Sequence, residues 1–225
     1  MRPYLPAQVL VWAKSLRPRQ RVAAGAERPG QTPARTFVGM SKDAVVGPGS
    51  IIAAHELTNV SGAAVPIPDP DRLVHLQFRR FAGCPICNVH LQSIVRRHNE
   101  IADAGIREVV IFHSTDQELR RYVDDVPFAV VADPDRALYA EFGVGSSPRS
   151  VLDPRALAPV LVPILRQQIG RIRTHQPVNN PHPTGGHLGL PADFLIGSDG
   201  RVLACKHGTH ANDQWSVDEV LAHAS

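Results

Sequence analysis

Two cysteines three positions apart, Cys84 and Cys87, sit in the segment Phe81-Ala82-Gly83-Cys84-Pro85-Ile86-Cys87, between an apolar run and a stretch with helical periodicity. Thiols at this spacing can carry out redox chemistry. A thiolate attacks an oxidised sulfur or a peroxide oxygen, and a second thiol one helical turn away can then close on it. Pro85 suits a first helical position, where its missing N–H leaves nothing unpaired, so Cys84 is expected at the start of the helix. The free amides and the positive dipole end at that place favour thiolate over thiol. An ordinary cysteine titrates near 8.5, and Cys-x-x-Cys thiols at helix starts fall to between about 3.5 and 7.5. Arg79 and Arg80 are close enough in sequence to add a cation, although strand alternation is expected to aim only one of them inward. Cys87 is expected to be the sheltered, resolving thiol, which protects Cys84 from irreversible over-oxidation.

Two other uses of these cysteines stay open at this stage. Both could be buried structural thiols, or His90 could extend them to Cys-x2-Cys-x2-His, with Cys205, His207 and His210 as further zinc ligands. The downstream histidines lack an equally tight spacing, so the reading assigns no metal and calls for no cofactor. Cys205 falls mid-strand and reads as an apolar filler. His175, His182 and His187 fall in a solvated loop, and His207 and His210, with Asp213 and Trp215, on the surface. A second signal is Pro191, in Leu190-Pro191-Ala192-Asp193-Phe194: a proline directly before an apolar strand is tolerated there, and its X-Pro bond is expected to be cis.

The elements that must position these residues alternate. Residues 43–70 suit a hairpin lying across an edge of the domain. Residues 72–78 (RLVHLQF) predict a strand, 85–104 a helix stopped by Gly105, 107–112 a buried strand and 115–123 a short helix capped by Thr115. Residues 128–131 predict a strand, followed by a helix that ends at Gly143. Residues 192–196 and 201–206 make a hairpin around Ser198-Asp199-Gly200, and 216–223 a last helix. Alternating strands and helices call for an α/β layer sandwich with some parallel pairing. The pattern breaks over an insertion of about residues 146–188. It holds a proline-interrupted apolar helix near 155–169 and is expected to pack on the domain, cover the site or form a homodimer contact.

The chain has 225 residues, 43% of them hydrophobic and 20% charged, which suits one domain with an insertion or tail. No stretch approaches a membrane span, and no membrane partner is expected. Three cysteines are too few for a disulfide-stapled scaffold, which points to a reducing compartment, the cytoplasm. The net charge of +3 is uneven: residues 1–39 hold seven basic side chains against Glu27, a charge of +6, leaving −3 for the rest. No basic face supports nucleic-acid binding. Five prolines and no hydrophobic periodicity in that segment predict a disordered basic tail over 1–42, with the domain at 43–225 and Met40 as an alternative start. Leu5 to Ala13, interrupted by Pro6 and Gln8, makes a poor signal-peptide core.

From about Gly47 onward the chain resembles the peroxiredoxin-like AhpC/TSA branch of the thioredoxin superfamily. The resemblance rests on Leu57 to Gly62, on Phe78 to Cys87, on Asp133-Pro134-Asp135 through Tyr139 to Phe142-Gly143-Val144, and on Phe194-Leu195-Ile196 with Asp199-Gly200-Arg201-Val202. It implies a thioredoxin-like three-layer α/β/α sandwich with a central mixed sheet and an insertion before the last hairpin. It also implies that Cys84 attacks a small peroxide or disulfide, that Cys87 resolves, that Pro191 faces the cysteines, and that an external thiol is the reductant. The chain departs from that family's usual pattern in two places. Phe81 stands where a Thr or Ser helps hold peroxide, and Pro191 occupies the usual place of an arginine that assists the thiolate. That role would fall to Arg80 or Arg149. The implied alternatives are a thioredoxin-like disulfide reductase and a redox-sensing module without turnover.

Overall fold

The computed structural model describes residues 45–123, 126–147, 157–175 and 180–225. The expected tail over 1–42, the start at Met40 and Arg149 lie outside the described residues. Strand β3 (Leu73–Arg79) runs at the centre with both faces buried. It pairs in parallel with β4 (Ile106–Phe112), which pairs in parallel with β5 (Ala129–Ala132). On its other side β3 pairs antiparallel with β6 (Ala192–Ile196), which forms a hairpin with β7 (Val202–His207). The sheet is therefore mixed, in the order β5-β4-β3-β6-β7. A separate hairpin of β1 (His55–Thr58) and β2 (Ala64–Ile67) precedes it. The helices are α1 (Pro85–Arg96), α2 (His98–Asp103), α3 (Asp116–Tyr122), α4 (Ala137–Glu141), α5 (Leu161–Arg173) and α6 (Val217–His223).

One face of the sheet presents Val74, Leu76 and Phe78 of β3 with Val109, Ile111 and Phe194, and packs on Val65 and Ile67 of β2, on Tyr139 of α4 and on Phe142, which caps its C-terminus. Phe78, Phe142 and Phe194 meet there at centroid distances of 5.1–5.7 Å. This packing accounts for the Asp133 to Val144 segment. The Asp133 carboxylate accepts from the Ala137, Leu138 and Tyr139 amides and so starts α4. The Tyr139 hydroxyl reaches the Arg79 and Ile111 carbonyls, tying α4 to the ends of β3 and β4.

The opposite face holds an element that strand alternation does not announce. His75, Gln77 and Arg79 point that way and are fully buried, as are Asp193 of β6 and Glu108 of β4. His75 Nδ1 donates to Glu108 Oε2 (2.9 Å) and Nε2 to Asp193 Oδ1 (3.2 Å), so a carboxylate faces each ring nitrogen. Arg79 pairs with the same Asp193 oxygen at 2.8 Å and donates to Gln77 and to His90 of α1. Burial disfavours charge on His75, but the two carboxylates outweigh it and raise its pKa to about 9. Two acids and two cations thus neutralise one another inside, and Trp215 N caps the remaining Asp193 oxygen at 3.1 Å.

Two sequence expectations are corrected. The single helix over 85–104 is broken at Arg97, whose N–H turns back to Ile94 O and whose guanidinium binds Glu100 and Asp218 of α6, a partner distant in sequence. The insertion helix near 155–169 is interrupted: residue 157 is helical, 158–160 form a turn that holds Pro159, and α5 starts at Leu161 with Pro163 in its first turn, where a missing N–H breaks no bond. The Leu190–Pro191 bond is not cis: among the described residues the cis peptide is Ile67–Pro68. The chain reaches Pro191 already extended, through the Ser146–Gly189 bridge and the Leu190 N to Gly145 O bond, so no tight turn occurs there.

The His75 pKa is raised on folding from 6.5 to about 9, so its contribution to stability is complete below pH 6.5 and is lost as pH rises through about 9. The thermal midpoint is therefore expected to fall across that interval, and the His75 ring resonances to titrate near 9 in NMR. A ring titrating near 6.5 would contradict the charged network.

Candidate active site

Cys84 is the N-cap of α1, one turn beyond the C-terminal end of β3, with Pro85 at the first helical position as expected. Gly83 makes the turn possible. Its φ of +83° is left-handed, and a Cβ there would lie 2.8 Å from Asn180 N. The Cys84 sulfur accepts from Cys87 N at 3.5 Å, and Arg80 Nη1 lies 3.6 Å away. Burial by itself would push the thiol up. The bond from the Cys87 thiol, the Arg80 charge and the Cys87 and Ile86 amides reverse that and lower its pKa to about 6. Cys87 is driven the opposite way, first by burial and then by the neighbouring Cys84, and keeps its proton. The pair is free, with relative exposures of 0% and 1%.

Both arginines of the Arg79-Arg80 pair turn inward, against the expectation from alternation. Arg79 stays in the strand and joins the buried network, whereas Arg80, beyond the strand end, rotates toward Cys84. Arg80 Nε donates to Gly189 O at 3.1 Å and Nη2 to His187 O, so one guanidinium holds both the sulfur and the loop over 180–190. Phe81 lies beneath the Arg80 guanidinium and meets the His187 ring edge-on at 4.8 Å.

The same loop is anchored twice more. Glu118 Oε1 accepts from Asn180 Nδ2 (3.1 Å) and Thr184 N (2.9 Å), and Arg136 donates to Gly185 O. Gly185 rides so close to His113 that a Cβ would lie 2.3 Å from the His113 carbonyl oxygen. Val160 and Ile164 from the insertion join the apolar cluster that encloses Cys84 and Cys87. The insertion therefore covers the cysteines. Glu118, Arg136, His113 and Asn180 carry no motif, and only the Thr115–Glu118 capping box marks one of them in the sequence.

Pro191 is buried directly before β6, and the Gly208 N–H donates to its carbonyl at 2.9 Å; two and four residues earlier, the Gly189 and His187 carbonyls accept from Arg80. His90 accepts from Arg79, and burial beside that cation lowers its pKa to about 3. Cys205 packs against the opposite face of the sheet, and His207 faces Val46 O at 3.0 Å.

A family model described as AhpC/TSA antioxidant enzyme matches residues 93–210, just over half of the chain. The chain belongs to that family. The match begins after Cys87, so the assignment of the two sulfurs rests on their own geometry. A search of curated proteins found no match. Among solved structures, the peroxidoxin BcpB of Mycobacterium tuberculosis is 18% identical, with a TM-score of 0.53 over 79% of this chain and 96% of its own. Peroxiredoxin 6 of Arenicola marina is 14% identical, with a TM-score of 0.57 over 80% and 72%. A protein named as the thiol:disulfide interchange protein DsbE, from Chlorobium tepidum, is 16% identical, with a TM-score of 0.50 over 81% and 100%. These likenesses establish the thioredoxin-like fold of this AhpC/TSA family member.

Arg80 is the cation beside Cys84. Arg80→Gln is therefore expected to raise the Cys84 pKa from about 6 toward the ordinary cysteine value of about 8.5, read from thiolate absorbance against pH. An unchanged titration would remove Arg80 from the site.

Proposed function

We propose that this protein is a thiol-dependent peroxidase in which Cys84 is the nucleophile and Cys87 the resolving thiol. The observation that carries the reading is the Cys84 sulfur at the start of α1, held by Cys87 N and Arg80 and ionised near neutrality. The thiolate attacks the terminal peroxide oxygen: an S–O bond forms, the O–O bond breaks, and the leaving oxygen departs as water or alcohol after taking a proton. Arg80 stands where that oxygen's charge develops. Cys87 then attacks the sulfenic acid, the S–S bond forms and water leaves. Two thiol equivalents from an external reductant return both cysteines. Residues three apart on a helix bring their sulfurs within bonding reach. Because both sulfurs are buried, each substrate enters by displacement of the 180–190 loop.

Phe81 supports a second reading. No hydroxyl stands at that position to hold a peroxide, and a Cys-x-x-Cys pair with unequal pKa values also suits reduction of disulfides. In either case we place the protein in a reducing compartment, the cytoplasm, where a thiol reductant can complete the cycle.

Reduced protein mixed with hydrogen peroxide, and separately with insulin, distinguishes the two. Peroxide is expected to oxidise the wild type at a rate that rises with pH and levels off above about 6. Cys84→Ser falls to the solvent background. Cys87→Ser is oxidised once, to a sulfenic acid trapped by dimedone, without an intramolecular disulfide. Arg80→Gln slows the first step by about 10²-fold. Turnover of insulin alone supports the reductase, and loss of activity only in Cys205→Ser overturns the choice of nucleophile.

A further inference from the structure

Helix α5 is packed with its polar side inward. Leu161, Val162, Leu165, Ile169 and Ile172 are each 50–62% exposed. At 100° per residue these five fall within one arc of about 100°. The side turned to the protein carries Ile164 with Gln167, Gln168 and Arg171, and the cleft between α5 and α1 is lined by Gln92, Arg96, Gln167, Arg171 and Thr174 among others. An amphipathic helix in a soluble domain buries its apolar stripe, so this arrangement leaves a continuous apolar face to be covered.

Charge indicates what covers it. Between Asp153 and Asp193 the chain has no acidic residue, four arginines and three histidines, in a molecule whose residues after 39 carry a net charge of −3. Arg166 and Arg173 border the exposed stripe along one edge, and Arg96 of α1 lines the adjoining cleft. A second copy of the chain would bring the same acid-free face, with nothing on it to receive the partner's arginines. A nucleic acid would pair with the arginines and leave the Leu and Ile side chains in water. An apolar stripe bordered by arginines fits an interface that is hydrocarbon within and negatively charged outside.

We propose that α5 docks the protein onto an anionic phospholipid bilayer, lying in the headgroup plane with Leu161, Val162, Leu165, Ile169 and Ile172 against the acyl chains and Arg166 and Arg173 on the phosphates. No helix among the described residues is long and apolar enough to cross a membrane. Lying on a membrane needs only one apolar face. The inference is independent of the peroxide reading, because none of these residues touches Cys84 or Arg80.

The test is co-sedimentation of the full chain with sucrose-loaded vesicles of phosphatidylcholine alone or mixed with phosphatidylglycerol. Binding is expected only to the mixed vesicles and is expected to weaken with salt. Leu165→Glu/Ile169→Glu should abolish it with an unchanged thermal midpoint and thiol oxidation rate, since both side chains are exposed. Arg166→Gln and Arg173→Gln should each weaken it about fivefold, near the value of one basic side chain at an anionic surface. Three outcomes overturn the proposal: no sedimentation of the wild type, binding that survives Leu165→Glu/Ile169→Glu and so belongs to another segment such as the basic residues 1–39, or a dimer in analytical ultracentrifugation that this double substitution splits while vesicles stay bare.

Discussion

The chemistry depends on holding a negative sulfur where no water reaches it. Burial opposes the Cys84 thiolate, and that opposition has to be exceeded by groups fixed before any substrate arrives: the amides opening α1, the Cys87 thiol and the Arg80 guanidinium. Each comes from a different local cause. The amides are free because a helix begins there, the thiol is in reach because Cys87 lies one turn on, and the guanidinium is aimed because β3 ends at Arg79. A shift of any of these by an ångström or two would return the sulfur to an inert thiol, since charge–dipole and charge–charge attractions fall off with distance while desolvation stays.

Beneath that site the strand it grows from is held by a different kind of force. Glu108, His75, Asp193 and Arg79 join β4, β3 and β6 through charged hydrogen bonds with no exposure to solvent. Such a group is weak evidence for stability relative to an apolar core, but removing one member strands its partners, at a cost of about 3–5 kcal/mol. Its consequence here is register. Only one alignment of β3 with β6 places Asp193 opposite Gln77 with His75 and Arg79 on either side, and that alignment fixes where β3 stops and hence where Arg80 turns. Arg79 also reaches His90 on α1, so the strand and the helix that bracket the cysteines are tied behind them.

The insertion acts in two places. Its last part, 180–190, closes over the cysteines through Arg80, Glu118 and Arg136, and its helix α5 rests on α1 with an apolar side outward. The cover contributes backbone carbonyls, which bind cations and offer no acid, so it can sit on Arg80 without competing for its charge as a carboxylate would. That an acid-free stretch is placed here is consistent with an ionised sulfur underneath, because a nearby carboxylate would raise the pKa that the rest of the site lowers.

The amino-acid sequence by itself determined the order of strands and helices, the start of α1 at Pro85, the cap at Thr115 and the placing of Cys84 and Cys87 at the head of α1, because each follows from chemistry within a few residues. It also carried the packing segment from Asp133 to Val144, whose spacing reflects one helix cap and two ring contacts. Only the tertiary structure decided which arginine meets Cys84, that the Leu190–Pro191 bond is trans, that His75 is charged and that the insertion covers the site. His75 reads as the polar side of an alternating strand until Glu108, 33 residues on, and Asp193, 118 residues on, are brought against it. Arg80 is one of two equivalent cations until β3 ends, and Glu118 is a helix-capping residue until the loop arrives from 62 residues away. These outcomes depend on Coulomb and hydrogen-bond partners that are distant in the chain and near in space, and periodicity, propensity and spacing record only what is near in the chain.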